Sequence, residues 1–219
     1  MRETGGMPRH VDREERRHHV ADALLRIIER EGLEAVSVRT VSAEAGCSVG
    51  AVQRYFRSKD EMLRFALETA ISRAASRMAE IRLGPGLMSF PDALRAAVVE
   101  YLPLDDGRLA ESRIWAAFSA RAVVDPAFRA VITALDRPAR DQLARVFAYA
   151  ESVGELPAGH DHEALACLVI ALMDGLMWSL LLRPAPEERA VHLAAVDAAV
   201  RALTTKVGRP TTGGDETAH

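Results

Sequence analysis

The sequence predicts an all-α protein, in which an N-terminal three-helix helix-turn-helix unit is joined by a long helix to a larger helical domain. Three observations predict it. Apolar residues recur at spacings of three and four, and no segment shows sustained alternation of period two. Two short amphipathic runs flank the tight stretch Gly46-Cys47-Ser48. Gly84-Pro85-Gly86, the strongest breaker in the chain, separates the first helices from the rest. The expected organisation is a disordered arm over 1–11, the helix-turn-helix domain over 12–58, the larger domain over 59–205 and a Gly/Thr-rich disordered tail over 206–219.

The first helix runs from about Asp12 to Arg30. Val20, Leu24, Ile27 and Ile28 form its apolar face, and Gly32 stops it. Ser37 caps a short second helix whose inner side is Val38, Val41 and Ala45; Ser48 caps a third, with Val52 and Phe56 turned inward. Ser58 caps the fourth, which carries Asp60 and Glu61 in its first turn, where the helix dipole favours acids, and extends to about Leu83. Helices follow over about 91–102 and 106–122. Asp125-Pro126 opens the next, where Pro138 either kinks the helix or starts a new one. Asp161 starts a strongly apolar helix to about Leu182. After Pro184 and Pro186 a last helix places Leu193, Val196, Val200 and Leu203 on a narrow seam.

Composition excludes several classes. Cys47 and Cys167 make neither a disulfide framework nor a metal cluster, and suit a reducing cytosol. The N-terminal stretch has no apolar core of the length a secretory signal needs. Residues 165–182 are apolar, but Asp174 near the centre would cost about 2.5–3.5 kcal/mol in a bilayer, so a helix buried on several sides explains them better. The expected location is cytoplasmic, with no membrane partner. The net charge is −3 overall, yet residues 1–60 hold 11 Lys/Arg against 10 Asp/Glu, and the remainder holds 17 against 21. Phosphate affinity depends on where cations sit, not on the total.

The third helix carries the functional signal. Val49, Gly50 and Ala51 are small enough to bring a backbone close to base edges. Gln53 and Arg54 follow with hydrogen-bonding reach; Gln pairs with adenine and Arg with guanine. Ser48 and the free amides at the helix start are phosphate donors. Tyr55 and Lys59 lie where a second strand's phosphates would run, and Arg39 and Thr40 open the preceding helix. The same residues read equally as a solvated face of a small bundle.

Residues 20–63 resemble the N-terminal domain of the TetR family of bacterial transcription regulators. The resemblance rests on EGLEAVSV, the AGCS turn, Gly50, Tyr55-Phe56 and RSKDEML. It implies DNA-facing or phosphate-contacting roles for Ser48, Val49, Gly50, Gln53, Arg54, Tyr55 and Lys59. The chain departs from the family where Ala51 replaces a frequent Thr, Gln53 a frequent Tyr and Ser42 a frequent Ala. The C-terminal half loosely resembles the choline-responsive betaine-pathway repressors.

That resemblance implies a double-stranded DNA operator, release by a small-molecule effector of unknown identity, and a homodimer built on the last two long helices. The expected dimer residues are Leu165, Leu168, Leu172, Leu176, Leu193, Val196, Val200 and Leu203. The expected effector residues are Tyr101, Trp115, Phe118, Phe147, Met173, Asp174, Met177 and Trp178, since aromatic and Met side chains line adaptable apolar pockets. No cofactor, no metal and no catalytic residue is expected. The chain lacks HExxH, CxxC, GxGxxG and a Walker loop, and in His160-Asp161-His162 the Asp is read as a helix cap. His18 and His19 are expected to be solvated. The rival reading is a helical dimeric ligand-binding or scaffold protein without DNA binding.

Overall fold

The computed structural model describes residues 9–205. Residues 1–8 and 206–219, most of the expected arm and the whole expected tail, lie outside the described residues. The described residues form nine α-helices and no β-strand: α1 (Arg9–Glu31), α2 (Val38–Glu44), α3 (Val49–Tyr55), α4 (Lys59–Met78), α5 (Phe90–Tyr101), α6 (Asp106–Val124), α7 (Pro126–Ser152), α8 (His162–Leu182) and α9 (Pro186–Thr204), with a short 3-10 turn at Leu33–Ala35.

The caps are where the sequence placed them. Ser37, Ser48, Ser58 and Asp161 each accept a first-turn backbone N–H, as do Ser89, Asp105 and Asp125. Each satisfies a donor that the helix geometry leaves open, at about 1 kcal/mol apiece. α7 runs unbroken through Pro138, so of the two readings the single helix holds. Pro138 and Ala134 are both exposed, so the carbonyl that the proline ring leaves without a partner can turn to water. α4 stops at Met78, short of the expected Leu83. The chain instead turns through Gly84-Pro85-Gly86, where Leu83 forms an isolated bridge with Met88.

Two hydrophobic cores hold the chain together. The first gathers Leu24, Ile27 and Ile28 of α1, Val41 of α2, Val52 of α3, Phe56, and Met62, Leu63 and Leu67 of α4. It continues across the expected 58/59 domain boundary into Ile114, Phe118 and Ala122 of α6 and Phe128 of α7. The second joins α5, the C-terminal half of α7, α8 and α9 through Phe90, Leu94, Val98, Phe147, Val169, Leu180, Val196 and Val200.

α8 is the one helix among the described residues long and apolar enough to cross a membrane. Leu165, Ala166, Val169, Leu176, Met177 and Leu180 bury its inner side in the protein. Its outer side is bare: Ala164, Leu168, Ala171, Gly175, Trp178 and Leu182, at alternating steps of four and three, are all exposed.

Candidate nucleic-acid interface

The turn between α2 and α3 is built by Gly46. With φ at +61° it occupies the left-handed region, open to glycine at little cost. Its N–H reaches Ala43 O at 3.2 Å, and Cys47 N–H reaches Ser42 O at 3.0 Å, the paired bonds of a Schellman ending. Ser48 Oγ then accepts Ala51 N–H at 3.1 Å, so only four residues separate α2 from α3. His18 and His19 are exposed, as expected; His19 Nε2 also lies 2.9 Å from Ala45 O in this turn, and the His18 ring lies 5.4 Å from that of Phe65.

α3 has two unlike sides. Val52 is fully buried and Phe56, just past its end, is 1% exposed, pinning the helix onto α1 and α4. Val49, Gly50, Gln53 and Arg54 are exposed. A Cβ placed on Gly50 would meet nothing within 4 Å. Internal packing therefore does not require glycine there, although glycine inside a helix costs about 0.5–1 kcal/mol relative to alanine.

Ser48 is exposed, and its hydroxyl, which accepts in the cap, still carries an O–H to donate. Tyr55 packs partly against the first core, and Lys59 is half-buried in the first turn of α4. Arg39 is exposed. Thr40 is committed locally: its hydroxyl accepts Ser37 N–H at 2.9 Å and donates to Ala35 O at 2.8 Å, closing the capping box of α2. That leaves it less to offer an external partner than the sequence suggested.

The eight residues expected around an effector fall in different places. Phe118 is buried in the first core, its ring 4.5 Å from that of Phe128, with Trp115 half-buried against the same core. Phe147 is fully buried in the second core, edge-on to Phe90 at 5.8 Å, and Met173 packs against that core. Met177 is 1% exposed, whereas Trp178 is 39% exposed on the outer side of α8. Tyr101 and Asp174 do meet: the phenol donates to Asp174 Oδ1 at 2.6 Å, linking α5 to α8. Burial, and then the neighbouring carboxylate, push the Tyr101 hydroxyl well above its ordinary range. Burial also raises Asp174, with Asp136 adding to the effect and the bond from Tyr101 opposing it. This half-buried acid is met by the Tyr101 hydroxyl, and among the described residues no arginine bond to it is seen.

The residues expected at a dimer seam are largely used within the chain. Leu165, Leu176, Val196 and Val200 are buried in the second core, and Leu172, Leu193 and Leu203 are half-buried. Leu168, 56% exposed, is the member of that set on the outer stripe of α8. A helix apolar on all sides does not reveal by composition which side faces out. The missed signal was the small residues Ala164, Ala171 and Gly175 at heptad-like steps. α9 adds a matching outer row of exposed Val191, Ala194, Ala198 and Ala202.

At the other end of α8's preceding loop, Asp161 caps the helix by accepting Glu163 and Ala164 N–H, as expected. His162 Nε2 lies 2.5 Å from Glu151 Oε2, and His162 is the main influence holding that carboxyl below its usual range.

Comparison with known proteins agrees with this geometry. Residues 20–65 match the family described as bacterial regulatory proteins, tetR family, and residues 91–205 match the BetI-type transcriptional repressor C-terminal family. The chain is 28% identical over 183 residues to the transcriptional regulator PksA of Bacillus subtilis, covering 81% of this chain and 84% of that one. It is 31% identical over 176 residues to the transcriptional regulator BetI of Burkholderia cenocepacia, covering 78% and 84%. Among solved structures, a transcriptional regulator from Rhodococcus sp. Rha1 superposes with a TM-score of 0.74 at 32% identity, covering 85% of this chain and 95% of that one. A regulator from Saccharomonospora viridis, solved in complex with choline, has a TM-score of 0.76 at 21% identity, covering 86% and 96%.

Proposed function

The chain belongs to the TetR family of bacterial regulatory proteins, and on that premise we propose that two copies each lay α3 in the major groove of one half of a palindromic operator. It is a DNA-binding transcriptional regulator of a family made up typically of repressors, and not an enzyme. The observation that carries the reading is the open face of α3. Val49 and Gly50 form a low shelf for the base edges, Gln53 and Arg54 supply donors one turn later, and Ser48 with the helix start meets phosphate. Arg39, Tyr55 and Lys59 take the flanking backbone.

Family members act as dimers. In this chain the bare stripes of α8 and α9 are the surfaces for a second copy. Ala171 and Gly175 at the middle of the α8 stripe allow close approach, and Leu168 and Trp178 flank them. A palindromic operator would require such a dimer to present its two α3 helices on one side of the duplex, about 34 Å apart.

The effector enters the body, where Asp174 and Tyr101 form its polar anchor. The choline held by the Saccharomonospora neighbour makes small organic cations the first compounds to test. Release of DNA requires that the effector bind the DNA-incompetent arrangement more tightly, by about 1–3 kcal/mol. The deciding experiment is footprinting on the DNA upstream of the protein's own gene. A dyad-symmetric footprint that Arg54→Ala abolishes supports the reading, and protein that retards no upstream fragment at low salt sinks it.

A further inference from the structure

The core of the DNA-reading head is built by α1–α4 but is shared with α6, which packs on it from the body. Ile114, Phe118 and Ala122 of α6 fill the cluster formed by α1–α4, and Phe128 closes it. Two arginines of α6 then grip the head at separate places. Arg121 forks onto Asp60 in the first turn of α4, with Nη1 and Nη2 at 2.7 and 3.0 Å from the two carboxylate oxygens, and its guanidinium lies 4.0 Å over the Phe128 ring. Arg113 donates from Nη1 to the main-chain carbonyl of Glu29, in the last turn of α1. Eight residues of helix separate the two grips, about 12 Å along the α6 axis at 1.5 Å per residue. In sequence, Glu29 and Asp60 bracket α2 and α3, so α6 holds both ends of the unit that enters the groove.

These ties are half-exposed; the side chains of Arg121 and Asp60 are 38% and 44% accessible. Exposed ion pairs contribute little to stability. Their geometry fixes direction more than it fixes folding, and this makes the two effects separable by experiment. Inserting one base pair between half-sites moves them apart by about 3.4 Å and rotates one by about a tenth of a turn. A head splinted to the body cannot follow that displacement; a head held by the apolar cluster alone has more latitude.

We propose that Arg113 and Arg121 are positioning residues that set which half-site spacing the dimer accepts. The inference rests on the operator reading above. Its test uses the full-length Arg113→Gln/Arg121→Gln protein and duplexes carrying the footprinted half-sites at native spacing, with one or two base pairs added or removed, and as an isolated half-site. Affinities are read by fluorescence anisotropy.

The wild type is expected to lose about tenfold or more in affinity for one base pair of misspacing, and the variant threefold or less. Half-site affinity should stay within twofold, because neither arginine touches DNA. A variant spacing profile identical to the wild type overturns the inference. Should the double variant not fold, Arg121→Lys carries the same test, since it keeps the charge and loses the fork; an unchanged profile there overturns it equally. The exchange Asp60→Arg/Arg121→Asp should restore discrimination if the ion pair is the agent. A wild type that binds no dyad-symmetric duplex sinks the operator reading and this inference together. A wild type that discriminates beside variants that discriminate equally sinks the inference alone.

Discussion

Gly46 and Gly50 lie four residues apart in the same head, and the same substitution should move them in opposite directions. At Gly46 the backbone sits at φ +61° and an added Cβ would touch nothing within 4 Å. The cost of Gly46→Ala is therefore conformational, not steric. An L-residue in the left-handed region costs roughly 1–2 kcal/mol, offset by about 0.4–1 kcal/mol of reduced unfolded-chain freedom. The net is a destabilisation of about 1 kcal/mol, or some 2–4 °C in Tm for a chain of this size.

Gly50 sits inside α3 without a positive φ and with the same open space. Gly50→Ala should stabilise the head by up to about 1 kcal/mol, the helix-propensity gain. It should also weaken operator binding about tenfold, equivalent to about 1.4 kcal/mol, because the new methyl group stands between the helix and the base edges. Urea unfolding at fixed protein concentration reads the first quantity and anisotropy on the operator reads the second. Gly46→Asn should lose less stability than Gly46→Ala, since Asn tolerates the left-handed region. A neutral Gly46→Ala would refute the turn argument, and a Gly50→Ala protein with undiminished operator affinity would refute the close approach of α3.

Other predictions follow from the same geometry. Arg54→Ala should cost about 1–3 kcal/mol of operator affinity with an unchanged dimer by analytical ultracentrifugation; a simultaneous loss of the dimer would mean the side chain is structural. Leu168→Glu puts a charge into each copy of the α8 stripe and should yield a folded monomer with weakened operator binding, checked by sedimentation and circular dichroism; a stable dimer would place the interface elsewhere. Asp174 has a raised pKa, so it binds its proton more tightly in the folded chain. Its contribution to stability is present at pH below the ordinary carboxylate range and is lost as pH rises through the raised value. Asp174→Asn keeps an acceptor for the Tyr101 hydroxyl without the charge, so its stability relative to wild type should improve from pH 4 to pH 7, and a pH-independent difference would contradict the burial argument.

Much of this architecture was legible in the residues. Local signals carried it: Ser and Asp caps, glycine stops, the Gly46 turn and apolar residues one turn apart each act within a few positions. The exposed face of α3 was legible for the same reason, because Val52 and Phe56 fix inward and thereby turn Gly50, Gln53 and Arg54 outward. What periodicity could not give was the partner of each face. α8 is apolar all round, and the leucines that looked like an outer seam, Leu165 and Leu176, are buried in the chain's own core. Thr40, expected as a contact residue, has a second task that spacing did not show: its hydroxyl closes the cap of its own helix. The expected effector residues scattered because Phe118 and Phe147 belong to different cores, a division set by long-range packing. The α6 grip on the head was invisible for the same reason: 61 residues separate Arg121 from Asp60.

The shared first core bears on any attempt to build chimeric sensors from this protein. A graft cut at residue 58, where the motif ends, would split the first core, with Leu24, Ile27, Val52 and Phe56 on one fragment and Met62, Leu63, Ile114, Phe118 and Phe128 on the other, and leave apolar surface on both. A transplantable reading module must bring its stretch of α6 along, or the recipient must offer a helix of matching relief. Sensor and reader are in this sense one piece of masonry, and evolution can exchange them only by recutting the stone between them.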